Sequence, residues 1–151
     1  MSVYFLDTSA LVKRHVAESG SETIREIVND PSGINVIADI TRAEFVSAVA
    51  RRAREGGVSE EQRRILKSAF AAHLIHDYLI ARLQPVHISA ACGLIERRAL
   101  RAYDAAQLSV ALSVRDLLGV SGGVPMFVSA DPRLNAAACA EGLPVIEPPG
   151  R

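Results

Sequence analysis

A chain of 151 residues with a 49% hydrophobic fraction can bury a real core as a single domain over residues 1–151, and this composition argues against a disordered chain. Lys plus Arg equals Asp plus Glu at 17 each, so overall charge neither announces nor excludes a nucleic-acid partner and local patches decide. The two cysteines, Cys92 and Cys139, lie in predicted helices without metal-ligand spacing and read as small core residues of a reduced, cytoplasmic protein. The first residues lack the basic and apolar regions of a signal peptide, and no apolar run approaches the roughly 20 residues of a membrane span.

Val3-Tyr4-Phe5-Leu6 is a continuous apolar run rich in strand formers, which predicts a strand buried on both faces, with Asp7 where it ends. Thr8 or Ser9 can cap the short helix that follows, roughly Ser9 to Ala17. Ser21 is placed to cap a second helix through Val28. Asn29 to Gly33 is a turn cluster, and Ile34 to Ala38 a second strand. Thr41-Arg42-Ala43-Glu44 has capping-box spacing and opens a helix to about Glu55, which Gly56-Gly57 stops. Ser59-Glu60-Glu61-Gln62 is another such box, opening a helix to about His76. Tyr78 to Leu83 is the third expected strand. Ser89 to Ala99 and Arg101 or Ala102 to Leu118 are helical. Met126 to Ser129 is a fourth strand. Pro132 at a first helical position opens Arg133 to Ala140, Pro144 to Glu147 is a last short strand, and Pro148 to Arg151 is a tail.

Strands alternate with helices, and no two neighbouring strands are joined by a hairpin turn. The expected fold is therefore α/β, a three-layer α/β/α sandwich around a mostly parallel sheet. In such a sheet the segments just after the strands emerge on one edge, where ligands bind. Asp7 and Asp131 follow strands directly. Glu44 lies in the first turn of the helix after the second strand, and Asp104 starts the helix that leads into the fourth. Each has a simpler explanation: Glu44 in a capping box, Asp131 and Asp7 as helix caps, Asp104 paired with Arg101. Asp104 resists its own, because its helical-face neighbours Leu100, Leu108 and Ala111 are apolar, and an unpaired buried charge is costly. Four carboxylates in one cleft repel one another and persist if a divalent cation neutralises them. Oxygen-only ligands suit Mg²⁺ or Mn²⁺, and the matching reaction class is phosphodiester hydrolysis.

Four stretches carry a resemblance: Phe5-Leu6-Asp7-Thr8-Ser9 through Lys13, Thr41-Arg42-Ala43-Glu44, Leu100 through Asp104 to Leu108, and Phe127-Val128-Ser129-Ala130-Asp131-Pro132-Arg133-Leu134. In order and in their acids they resemble the motifs of PIN-domain nucleases, and among these the VapC-type toxins of toxin–antitoxin pairs. The resemblance implies that Asp7, Glu44, Asp104 and Asp131 are the catalytic, metal-binding quartet, with Asp7 and Asp104 the most direct ligands. It places the Ser9 and Ser129 hydroxyls near the ion or its water. It further implies an Mg²⁺-dependent endoribonuclease with an RNA substrate, a homodimer, and a cognate antitoxin that blocks the cleft. Lys13 and Arg42, near acids at the active edge, are the expected phosphate contacts. Arg51, Arg52, Arg54, Arg63 and Arg64 read as a solvated helix face, and Tyr103 as a core aromatic that can otherwise stack on a base. Phe45, Val49, Ile65, Leu66, Phe70 and Leu74 are the expected dimer and antitoxin contacts. The competing readings are a non-catalytic PIN-like module that holds RNA or protein, and a DNA or flap nuclease. A phosphatase of the haloacid dehalogenase type fits less well, since it needs an acid where this chain has Ser9.

Overall fold

In a computed structural model, which describes residues 1–149, strand and helix alternate: β1 (Ser2–Leu6), α1 (Thr8–His15), α2 (Ser21–Val28), β2 (Gly33–Ala38), α3 (Thr41–Arg54), α4 (Glu60–His76), β3 (Leu79–Ala81), α5 (Pro85–Arg98), α6 (Ala102–Gly119), β4 (Met126–Val128), α7 (Pro132–Ala140) and β5 (Val145–Ile146). Every strand pairing is parallel, and the order across the sheet is β3-β2-β1-β4-β5. β1 is thus the middle strand, with Phe5 opposite Val36 on one side and Phe127 on the other. The chain order reverses between β1 and β4, which makes their carboxyl ends the switch point of the sheet.

Because successive side chains alternate across a strand, each strand feeds two cores. Phe5, Val36, Ala38 and Phe127 face one layer, formed with Leu94 of α5, Leu108 and Ala111 of α6 and Leu134 of α7. Leu6, Ile37 and Val128 face the other, formed with Leu11 of α1, Ile24 of α2, Phe45 and Val49 of α3 and Phe70 of α4. Phe5 and Phe127, register partners, stack with centroids 5.9 Å apart, and Phe45 and Phe70 stack at 4.0 Å. This is the expected three-layer sandwich, with a sheet that is wholly parallel among the described residues.

Several local expectations change. α5 begins at Pro85, not Ser89, because the proline takes the first helical position and His87 Nδ1 accepts from the Gln84 amide. β3 is shorter than Tyr78 to Leu83: Tyr78 is buried under the Arg14 guanidinium, and the Leu83 amide donates to Asp39 Oδ1 rather than to a ladder. Gly20, not Ser21, caps α2. Its φ of +87° suits glycine, and a Cβ there would come within 2.7 Å of the Pro149 carbonyl. Ser21 Oγ instead ties the preceding turn, accepting from the Glu18 amide and donating to the Val16 carbonyl. Cys92 and Cys139 are exposed free thiols rather than core residues, since both fall on the outer faces of their helices. Phe45, Val49 and Phe70 are buried in the chain's own core and are no contact surface. Leu66 and Leu74 pack against that core, and of the six named residues only Ile65 is exposed. Of the tail, Gly150 and Arg151 lie outside the described residues. No helix of the described residues is long and apolar enough to cross a membrane.

The second core holds one ionisable group with a measurable signature. The His15 ring meets Phe45 and Phe70 edge-on and lies 5.1 Å from the His73 ring, with Nε2 buried and unpartnered among the described residues. Burial, then the neighbouring His73 and Arg14, lowers its pKa from 6.5 to about 4. Between those values the unfolded chain binds a proton that the folded chain refuses. Stability from this group is therefore present above pH 6.5 and is lost as pH falls toward 4. His15→Phe is expected to flatten the acid-side fall in melting temperature relative to the parent chain. Parallel melting curves from pH 7 to pH 4, with the two slopes equal, would remove His15 from that role.

Candidate active site

Asp7 ends β1 and caps α1 from an extended backbone. Its carboxylate is buried, and three bonds converge on one oxygen: Oδ2 accepts from the Ser9 amide (3.2 Å), Ser9 Oγ (2.6 Å) and Ser129 Oγ (3.2 Å). Oδ1 takes no hydrogen bond among the described residues. Ser9 Oγ also accepts from the Ala130 amide at 3.0 Å, and Ser129 Oγ from the Asp131 amide at 3.1 Å, so the two hydroxyls lace the β1 end to the β4 end. Ser129 is fully buried beneath the site, whereas Ser9 lines it.

Asp131 caps α7, Oδ1 accepting from the Arg133 amide at 2.9 Å and the Leu134 amide at 3.4 Å. Asp104, in the first turn of α6, meets Arg101 Nε at 3.3 Å with a side chain only 19% exposed. Glu44 does not close a capping box. α3 starts from Ile40 without a side-chain cap, and Glu44 Oε1 accepts instead from Gln107 Nε2 at 2.7 Å. That amide, fully buried on α6, also reaches Thr41 Oγ1 at 2.7 Å and Thr8 Oγ1 at 3.1 Å.

Asp7, Glu44, Asp104 and Asp131 all line one cleft of about 860 Å³ at the carboxyl edge of the sheet. Its other walls carry Lys13, Arg51, Arg52, Arg101 and Tyr103, together with two further acids, Glu18 and Glu147. Lys13 is largely occupied: Nζ donates to the Ser19 carbonyl at 2.8 Å and pairs with Glu18 at 3.4 Å, and Arg52 pairs with the same carboxylate at 3.2 Å. Arg42 is exposed and lies outside this cleft, on a smaller groove with Asp39, Lys67 and Phe70, because it projects from a different side of α3 than Glu44. Tyr103 is 61% exposed, not a core aromatic, since it precedes the buried face of α6. Arg51 and Arg52, expected from sequence as part of a solvated helix face, line the cleft and stand seven and eight positions after Glu44. That spacing is two helical turns along one face, a signal present in the sequence.

The acids feel one another. Asp7 is raised from its ordinary pKa, first by burial and then by Asp104, against the lowering bonds of Ser9 and Ser129. Asp104 is raised by burial and by Asp131, against Arg101 and Arg133. Glu44 is pushed up to about 7 by burial, with Asp7 and Asp104 adding to it and the Gln107 bond opposing. Such a cluster of anions favours a cation. Among the described residues no three His, Cys, Asp or Glu side chains are grouped tightly enough to form a dedicated metal cage. Each carboxylate has its own tether: serines, Gln107, Arg101 or a helix N-terminus. The all-oxygen donor set in a roomy cleft fits Mg²⁺, which keeps several waters and is held by one or two carboxylates, rather than a caged ion.

The chain matches the profile of a family described as PIN domain over residues 4–138. No match is found among the curated proteins. Among solved structures it is similar to PAE2754 from Pyrobaculum aerophilum, at 22% identity and a TM-score of 0.61, over 95% of this chain and 83% of that one. It is also similar to VapBC2 from Rickettsia felis, described as bound to a DNA fragment from their promoter, at 15% identity and a TM-score of 0.65, over 96% of this chain and 98% of that one. FitAcB from Neisseria gonorrhoeae gives 15% identity and a TM-score of 0.65, over 97% of each chain. At these identities the likeness is one of fold.

The raised pKa of Glu44 has a thermal consequence in the metal-free protein. From its ordinary value of 4.5 up to about 7, the folded chain holds a proton that the unfolded chain releases, so this group's contribution to stability falls as pH rises through that window. Glu44→Gln keeps an acceptor for Gln107 and removes the charge. In chelator it is expected to melt a few degrees above the parent at pH 8 and level with it at pH 5. Equal melting temperatures at both values would show that Glu44 carries no electrostatic strain.

Proposed function

The chain belongs to the PIN-domain family, and on that premise we propose that it is a cytoplasmic, divalent-metal-dependent endoribonuclease, the toxin of a toxin–antitoxin pair. The observation that carries the proposal is the convergence of Asp7, Glu44, Asp104 and Asp131, from four separate segments, on one cleft walled by arginines. Asp7 and Asp104 would hold Mg²⁺ or Mn²⁺ most directly, with Glu44 and Asp131 completing the anionic surroundings of the ion, which when bound supplies Lewis acidity and a nucleophilic water at a phosphodiester. Ser9 and Ser129 hold Asp7 by one oxygen and leave the other for the ion. Arg51, without an ion-pair partner among the described residues, offers its guanidinium group to the phosphates of a strand entering the cleft, and Arg52 and Arg101 can add theirs by releasing Glu18 and Asp104. Tyr103, exposed at the mouth beside Asp104, offers a face on which an unpaired base can stack, which favours a single strand over a duplex.

An antitoxin protein that covers the cleft and a homodimeric assembly belong to the same proposal. Likeness to a structure named VapBC2 supports the former. Exposed apolar side chains on the α3–α4 side, Val46, Ile65 and Ile75, are what this chain offers for such contacts.

Asp104→Asn keeps shape and removes one negative charge. It is expected to abolish RNA cleavage in Mg²⁺ or Mn²⁺ while the protein still melts cooperatively, and in chelator to melt slightly higher than the parent because repulsion with its neighbours is relieved. A merely capping or ion-pairing Asp104 gives the reverse, full activity and a loss of ~0.5–2 kcal/mol. Parent protein that binds RNA without turning it over would favour the non-catalytic module, and cleavage confined to DNA the DNA or flap nuclease. A second variant addresses the substrate: Tyr103→Ala is expected to raise KM for a short single-stranded RNA about tenfold, from the roughly 1–3 kcal/mol of a base–aromatic stack, while Tyr103→Phe keeps it. Equal KM in all three proteins would remove Tyr103 from the substrate path.

A further inference from the structure

Gln107 is not one of the four acids, though it lies three residues after Asp104 in the third of the stretches that carry the resemblance, and its surroundings are unusual. It lies in the stretch of α6 from Ala105 to Ala111 that is buried throughout, where an apolar side chain would be ordinary. Its amide is fully buried, and Nε2 stands within hydrogen-bonding distance of three oxygens on two other helices: Thr8 Oγ1 on α1, Thr41 Oγ1 on α3 and Glu44 Oε1 on α3. An amide nitrogen carries two hydrogens, so three acceptors compete for two donors. Oε1 is buried without a partner among the described residues. Burying an incompletely satisfied amide is costly, and a leucine at the same position would avoid that cost. Position 107 is therefore poorly explained by stability alone.

We propose that Gln107 is a positioning residue, holding the Glu44 carboxylate at the cleft by a hydrogen bond across the α3–α6 interface while Thr8 and Thr41 fix the orientation of its amide. The geometry favours this over a simple packing role. Glu44 stands among carboxylates that repel it, and a flexible glutamate left to itself would turn away from Asp7 and Asp104. A bond of 2.7 Å to a donor anchored in the core holds it against that repulsion. The proposal rests on the reading of Glu44 as one of the groups that hold the ion.

The test is a two-residue cycle read by Mn²⁺ binding, with the electron paramagnetic resonance of free Mn²⁺ as the signal and no activity measurement. Parent, Glu44→Gln, Gln107→Met and the double variant are titrated. Methionine is close in size to glutamine and has no donor. Gln107→Asn, which keeps the amide one methylene short of Glu44, serves as the second single variant and carries the test if the methionine variant melts without cooperativity. The expected result is a Kd about tenfold weaker for Glu44→Gln, at least fivefold weaker for Gln107→Met and Gln107→Asn, and no weaker for the double variant than for Glu44→Gln alone. The proposal is overturned if a folded Gln107 variant binds Mn²⁺ as the parent does while Glu44→Gln is impaired, or if the two effects multiply in full. Mn²⁺ binding that is absent in the parent, or unmoved by Glu44→Gln, overturns the ion-holding role of Glu44 and this proposal with it, so the two failures are distinguishable.

Discussion

The structure depends on keeping one carboxylate buried at the end of its middle strand. β1 has neighbours on both sides, so the residue that follows it stands at the switch point of the sheet with little access to water. A charged carboxylate there costs several kcal/mol unless it is bonded. Ser9 satisfies it from the next turn, Ser129 from the end of β4, and the α1 N-terminus adds the positive end of a helix dipole. Because Ser9 Oγ also accepts from the Ala130 amide, and Ser129 Oγ from the Asp131 amide, what holds Asp7 holds the β4–α7 turn as well. The placement of Asp131 is thus a consequence of how Asp7 is solved.

The sheet supplies the rigidity this requires. Phe5 and Phe127 pair in register and stack on one face, while Leu6 and Val128, one residue later, pack on the other. The last two residues of β1 are therefore clamped from opposite layers just before Asp7. A one-residue slip of β4 would exchange Phe127 and Val128 between layers of different composition and shift Ser129 away from Asp7, so core packing and site geometry enforce the same register.

The large features were legible because they rest on patterns with strong physical reasons. Strands buried on both faces must read as unbroken apolar runs, and an acid that follows such a run has few places to be other than the carboxyl edge. What escaped was set by packing across helices. Gln107 in sequence is an ordinary polar residue in a helix, and nothing local says that its amide meets two helices distant in the chain. Arg42 looked close to Glu44 because it is two residues away, but two residues on a helix is more than half a turn. Arg51 and Arg52, far off in sequence, share the face of Glu44. Tyr103 and the cysteines were assigned by residue type alone, and side-chain type constrains burial less than position on the helix does.

The spacing of Thr41 and Glu44 shows how site and stability compete for the same residues. Locally it is a capping box, and in that form it would satisfy orphan amides at the start of α3, a gain of about 1 kcal/mol. The folded chain forgoes it: both side chains turn to the buried Gln107 amide, and α3 begins without a side-chain cap. At Ser59 and Gln62, where no acids converge, the same motif forms its box in full. The two sites differ in surroundings rather than in local pattern, so the tertiary bond to Gln107 is what overrides the cap at α3. A favourable local arrangement given up at one of two similar motifs, the one facing the acidic cleft, agrees with the proposal that Glu44 is placed for an ion rather than for the helix that carries it.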